Sequence, residues 1–360
     1  MTTTAPELSG PADRLLEDEP LASSNGVLRL PALLGLAAAV IALTVGLFAV
    51  TDLQGRAGFV VVAALLYLVA QTAVSAVVEG PRRSRDRAVT TAVATCFLVA
   101  LIPLVSVAVY VVRQGATRFD AAFFTETLRG VGVRNPGGGA RQAIIGTLQQ
   151  VGLATLFSVP LGLLVSIYIV EYGRGRLAAA IRFFVDVMTG IPSIVAGLFV
   201  FSFWILGLGF GYSGFAAALA LTILMLPTVV RSSEEMLKLV PDSLREASFA
   251  LGVPKWKTIL RIVMPTALPG ILTGIMLAIA RAMGETAPVL LTALGNPNLN
   301  TNPFSGAQSS LPLFIYQSAG NSLQAFIDRA WTAALVLILV VMALNLLARV
   351  IIKTSKIGKG

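Results

Sequence analysis

The chain has 360 residues, of which 56% are hydrophobic and only 12% charged, and its formal net charge is +9. Soluble domains sit near 45–50% apolar and about 25% charged, so an ordinary soluble enzyme is excluded, and a disordered scaffold needs the opposite composition. With no histidine and one cysteine, Cys96, the chain has no His-ligated metal, no Ser-His-Asp triad, no histidine proton relay and no disulfide framework.

Residues 1–26 are polar and carry Glu7, Asp13 and Glu17, with no basic segment leading into a short apolar run. They read as a cytoplasmic tail, not a cleaved leader. Eight apolar segments then reach the roughly 20 residues that a bilayer crossing requires: 30–50, 57–78, 88–112, 142–170, 187–208, 210–230, 266–294 and 330–348. The runs are continuous and do not alternate, which predicts helices and not barrel strands. Cys96 lies inside the third run and is expected to be a small buried apolar residue. The basic stretch 81–87 separates a two-helix transmembrane hairpin, 27–86, from the remainder, 87–360.

Of the 27 Lys and Arg, 19 fall where an eight-span chain with its N-terminus inside places cytoplasmic segments, so both termini are expected in the cytoplasm. The positive charge then belongs to loops facing the bilayer and needs no nucleic-acid partner. The turn at 207–212 is short enough for spans five and six to pack as a re-entrant pair. The tract 209–214 spells G-x-G-x-x-G, but no predicted strand precedes it, so a dinucleotide site is not expected. Gly207/Gly211 and Gly270/Gly274 have the spacing that permits close helix approach. No G-x-x-x-x-G-K-[ST] occurs, and any ATP chemistry is expected on another chain.

The longest predicted cytoplasmic loop is 231–265. Pro241 and Asp242 open a helix, Leu244, Ala247, Ser248 and Leu251 share one face, Gly252 ends it, and Pro254 opens the next. Such an elbow suits a partner's groove or packs on its own bundle. Glu246-Ala247-Ser248 followed by Gly252, Ile262 and Pro265 resembles the EAA motif of ABC importer permeases, with Ser248 and Met264 as departures. The resemblance implies a coupling helix that docks on an ATP-binding subunit, with Gly252 at the bend. Arg245, Glu246 and Ala247 are expected on the contact surface.

Further on, Leu268-Pro269-Gly270-Ile271-Leu272-Thr273-Gly274, then Arg281-Ala282-Met283-Gly284-Glu285-Thr286-Ala287-Pro288, then Ser310-Leu311-Pro312-Leu313-Phe314-Ile315-Tyr316 are similar to the PstA-type permeases of phosphate-specific ABC importers. The resemblance covers about residues 88–360. It implies an all-α polytopic membrane protein: a type I importer core of six transmembrane helices, here preceded by an extra hairpin. It also implies a heterodimer with a PstC-type permease, two PstB-type ATPases holding ATP and Mg, and a PstS-type binding protein, in a bacterial inner membrane. The chain itself is then a transport subunit, not an enzyme, without a cofactor or metal. A permease for molybdate or sulfate, a secondary transporter or channel, and a membrane enzyme are the competing readings.

Arg281 and Glu285 are the only charges inside a predicted span, near the middle of 266–294. Charges at that depth cost at least about 2.5–3.5 kcal/mol each and pair or line an aqueous path. Four residues apart, they share a helix face. Pro288 cannot donate to the Gly284 carbonyl, so Gly284 and Pro288 mark an expected hinge. The pair is either a static packing contact or a substrate path with Thr286 beside it. In the second case Arg281 binds the anion, Glu285 competes for the guanidinium, and the carboxylate accepts from a protonated phosphate oxygen.

Overall fold

The computed structural model describes residues 28, 30–51, 55–132, 135 and 137–354; the tail expected at 1–26 lies outside them. Lipid offers no partner to backbone N–H and C=O groups, so an apolar run satisfies them internally as helix. Among the described residues seven helices are long and apolar enough to cross a membrane, with a bent pair as an eighth, and no strand exceeds the single bridge between Leu294 and Gln308.

The chain divides into two compact units, up to Val107 and from Ala108. In the first, α1 (Leu30–Val50) and α2 (Arg56–Val78) pack together, Phe48 meeting Phe59 edge-on at 5.4 Å. Gly80 reverses the chain at φ 88°, and α3 (Pro81–Gly115) follows and runs on into the second unit. The buried Glu79 carboxylate at this turn accepts from the Ser75 hydroxyl and the Leu28 amide, each at 2.7 Å, and pairs with Arg87 at 2.6 Å. Burial works against its charge, but these donors outweigh it and hold Glu79 below the usual carboxylate range. Cys96 is exposed on α3, contrary to expectation. An apolar residue facing lipid tails needs no protein neighbour, and neighbouring Phe97 and Leu98 are exposed as well.

The second unit continues with α4 (Ala121–Thr125), a short turn of helix capped by the Asp120 carboxylate, and α5 (Arg141–Ile167), which ends in a π-helical turn, Tyr168–Tyr172. Next, α6 (Arg176–Thr189) and α7 (Ser193–Val200), the latter extended by a π-helical turn to Gly207, meet at 105°. The continuous span expected at 187–208 is therefore corrected. Pro192 cannot continue the hydrogen bonding of α6, so 187–189 close one helix and the next begins at Ser193. The turn that follows places Gly209 and Gly211 at φ 72° and 74°, with Trp204 stacked on Phe210 at 4.3 Å. It leads into α8 (Gly214–Lys238), whose first turn is capped by the Ser213 hydroxyl. What precedes the G-x-G-x-x-G tract is thus helix.

Because α8 runs to Lys238, the connection beyond it is shorter than 231–265. It consists of α9 (Asp242–Ala250) and the bend at Gly252. Then α10 (Lys255–Thr258), a π-helical turn and α11 (Met264–Met283) form one continuous helix of 29 residues. The last elements are α12 (Ala287–Ala293), α13 (Leu311–Ala319) and α14 (Gln324–Thr354).

The core forms where α5, α8 and α11 converge, around Val151, Leu221, Met225, Val229, Ile271 and Ile275. Gly270 and Gly274 press against Met236 and Ser232 of α8, where any added Cβ would overlap. That glycine pair serves close approach as expected. Gly207 and Gly211 do not: Gly211 has nothing within 4 Å and Gly207 only its own Ser202 carbonyl.

Candidate functional site

The site begins where α11 stops. Hydropathy runs on to residue 294, but Gly284 has poor helix propensity and Pro288 has no N–H to offer its carbonyl. The Gly284 and Glu285 amides donate instead to Arg281 and Ala282 at 3.0 and 3.2 Å, a tight last turn. The expected single span 266–294 is therefore two helices, parted at 284–286. Arg281 sits in the final turn of α11, about 25 Å from Met264 at 1.5 Å per residue, and not at the centre of a longer helix.

Across this break Arg281 Nε lies 3.7 Å from Glu285 Oε1, the Arg281 side chain 62% exposed and that of Glu285 18%. At this distance the two form a loose ion pair rather than a hydrogen bond, which leaves the guanidinium donors free to engage a second acceptor. Two small pockets meet at Glu285. One is walled by Leu224, Thr228 and Arg281, the other by Thr147, Gln150 and Ser310. Thr286 takes the N-cap position of α12 without a side-chain capping bond and lines neither pocket. An exposed guanidinium with donors to spare has the chemistry to meet an acceptor oxygen by charge-assisted hydrogen bonds.

The elbow places its residues on two sides. Gly252 adopts φ 73°, as the bend was expected to require. Glu246 and Ala247 are exposed, and Leu251 and Trp256 flank them at 83% and 55% exposure. Arg245 turns inward, which corrects its expected place on the contact surface, and Ser248 turns inward as well. The Arg245 guanidinium pairs with Glu171 at 2.9 Å and donates to the Leu237 and Val240 carbonyls at 3.0 and 2.6 Å. Ser248 is buried against the Thr258 hydroxyl at 2.8 Å. The elbow is thereby tied to the end of α5, where Lys255 also donates to the Glu171 carbonyl and lies over the Tyr172 ring.

Several polar residues that the sequence did not single out are central here. Glu171 anchors the elbow. Glu234, buried on α8, gathers Lys238 at 2.7 Å, Arg231 at 2.9 Å and Arg182 of α6 at 3.6 Å, joining α6 to α8. Gln150 is buried within an otherwise apolar stretch of α5. Glu171, closing the apolar run 142–170, and the Gln149-Gln150 pair inside it were the available signal; Glu234 lies in the polar stretch 231–235, where no such signal stands out.

Comparison with known proteins agrees with this architecture. Residues 158–355 match the family described as binding-protein-dependent transport system inner membrane component. A phosphate transport system permease protein PstA 1 of Mycobacterium tuberculosis (strain H37Rv) is 53% identical over 273 residues, 75% of this chain and 88% of the relative. The PstA of Mycobacterium leprae is 50% identical over 74% and 88%, and that of Yersinia pestis 40% over 76% and 92%. Among solved structures, a bacterial alginate ABC transporter, crystallised with its periplasmic protein bound to an alginate pentasaccharide, superposes with a TM-score of 0.54. It shares 18% identity, covering 75% of this chain and 96% of that one, which speaks for the fold alone. The helix order, the elbow and these matches together place the chain in the family of binding-protein-dependent transport inner-membrane components, among the PstA permeases.

Proposed function

We propose that the chain is the PstA-like permease subunit of an ATP-driven importer of inorganic phosphate. The observation that carries this reading is the 40–53% identity to PstA permeases over about nine-tenths of their length, which favours phosphate over molybdate or sulfate. Membership of a binding-protein-dependent family argues against a secondary transporter. The chain pairs with a PstC-type permease, two PstB-type ATPases that hold ATP and Mg, and a PstS-type binding protein, in a bacterial inner membrane with both termini cytoplasmic. ATPase closure acts on the exposed elbow face at Glu246, Ala247 and Leu251, with Gly252 setting the bend. The resulting motion switches the membrane path between its two openings.

In that path Arg281 meets the anion. Its free donors attract phosphate oxygens, and Glu285 competes for the same guanidinium, so binding stays weak enough for release. The break at 284–286 gives the pair room to change its spacing. Phosphate uptake by the complete transporter carrying Arg281→Gln or Glu285→Gln tests this, in cells that lack another phosphate importer. Uptake is expected to fall at least about tenfold, since a charge-assisted contact is worth about 1.5–3 kcal/mol, while assembly and ATP hydrolysis persist. Normal uptake in both variants reduces the pair to a packing contact.

A further inference from the structure

Gln150 of α5 is 1% exposed, and its amide nitrogen donates to Gln308 Oε1 at 3.0 Å and to the Ser309 carbonyl at 3.2 Å. Both neighbours of that nitrogen are acceptors, so a rotated amide would set oxygen against oxygen. Gln308 is fixed likewise: its Nε2 donates to Gln149 Oε1 at 2.6 Å and to the Asn300 carbonyl at 3.0 Å. Gln149 in turn donates to the Thr301 carbonyl at 2.9 Å. The amide chain thus runs in one direction and leaves one loose end, Gln150 Oε1, buried and without a partner among the described residues.

Gln150 lines the same pocket as Glu285. Thr147 adds no donor there, because its hydroxyl proton goes to the Ala143 carbonyl at 2.9 Å while its oxygen accepts from the Leu311 amide at 2.7 Å. The pocket therefore joins an unpartnered amide oxygen to a carboxylate; its remaining polar wall is Ser310, whose hydroxyl oxygen accepts from the Leu313 amide at 3.4 Å. Its free volume is about 10 Å³, the size of one water or of one hydroxyl oxygen. One wall is Glu285 of the 284–286 break, with Met283 of α11 and Val289 of α12 on either side of it.

We propose that this pocket is a subsite for the protonated oxygen of the transported anion, with Gln150 as a specificity-determining residue. The P–OH group of hydrogen phosphate donates to Gln150 Oε1, while Arg281, on the other side of Glu285, takes the charged oxygens. Sulfate carries no proton at neutral pH, so it would bring only acceptors to the Gln150 and Glu285 oxygens. The inference rests on the phosphate reading above and adds a residue to it.

The test uses the complete transporter, with its partner permease, ATPase and binding protein, reconstituted in vesicles with radiolabelled phosphate outside. Gln150→Leu removes the acceptor, and phosphate taken up per ATP hydrolysed is expected to fall at least about tenfold, as for sites built to bond a substrate hydroxyl. Gln308→Leu cuts the amide chain but leaves the pocket oxygen, and is expected to keep that ratio within about twofold. A wild-type ratio for Gln150→Leu overturns the proposal, and so does an equal loss in both variants, which would mark a packing role. If Gln150→Leu fails to assemble, Gln150→Met, close in shape to glutamine and likewise without the acceptor oxygen, should show the same fall in the ratio; a wild-type ratio there also overturns the proposal. Failure of the wild-type complex to import phosphate would be a different result, one that removes the phosphate reading itself.

Discussion

A single guanidinium carries much of the elbow. Arg245 makes contacts to Glu171, Asp242 and two carbonyls while its side chain is only 13% exposed, and Glu171 is 6% exposed. Removing one partner of a buried ion pair leaves the other charge uncompensated and costs up to about 3–5 kcal/mol. Arg245→Ala is expected to lower the thermal stability of the purified permease and to open the elbow to protease. Arg245→Lys should recover only part of that loss, because a point charge cannot reproduce a planar fork reaching several acceptors. Equal stability of Arg245→Ala and wild type, by melting in detergent, would contradict the anchoring role.

At the level of elements, the bend between α9 and α10 rests on Gly252 at φ 73°, with nothing within 4 Å of where a Cβ would stand. A side chain there meets no clash; only the backbone objects, by roughly 1–2 kcal/mol. Gly252→Val should therefore uncouple ATP hydrolysis from uptake while membrane insertion survives, and Gly252→Asn, which tolerates this conformation, should be milder. Equal uptake per ATP in both variants and wild type would remove the bend from the coupling mechanism. The bend was legible in the sequence, because a glycine between Leu251 and Pro254 is a local signal. The orientation of α9 was not. The spacing of Leu244, Ala247, Ser248 and Leu251 defines a face but not which neighbour it meets, and Ser248 went to the inside. The end of α11 was half legible: Gly284 and Pro288 marked a hinge there, but hydropathy continues through Gly284 and so carried the expected span on to residue 294. Gln150 escaped for a third reason: its partner Gln308 is 158 residues away, and no local pattern reports such a pairing.

At the scale of the whole chain, sidedness is the statement most open to test. Ser243 on α9 and Ser305 between α12 and α13 are both exposed, whereas Ser309 is buried and Cys96 is not. In a Cys96→Ser background, Ser305→Cys should react with a membrane-impermeant maleimide added to intact cells. Ser243→Cys should react only after the membrane is opened. Labelling of both from outside would reverse the proposed cytoplasmic position of the elbow. Between those two regions runs the unbroken helix Lys255–Met283. Its first residue belongs to the elbow and its last turn holds Arg281, about 39 Å away at 1.5 Å per residue. It is a lever arm. Tilting the elbow end by about 10° sweeps the far end through about 7 Å at that length, more than the width of a hydrated ion's first shell. α12, on the other side of the break, is held by α7 as well as by α8. A small stroke at the elbow would thus arrive at the Arg281–Glu285 pair as a change in separation rather than a shared displacement.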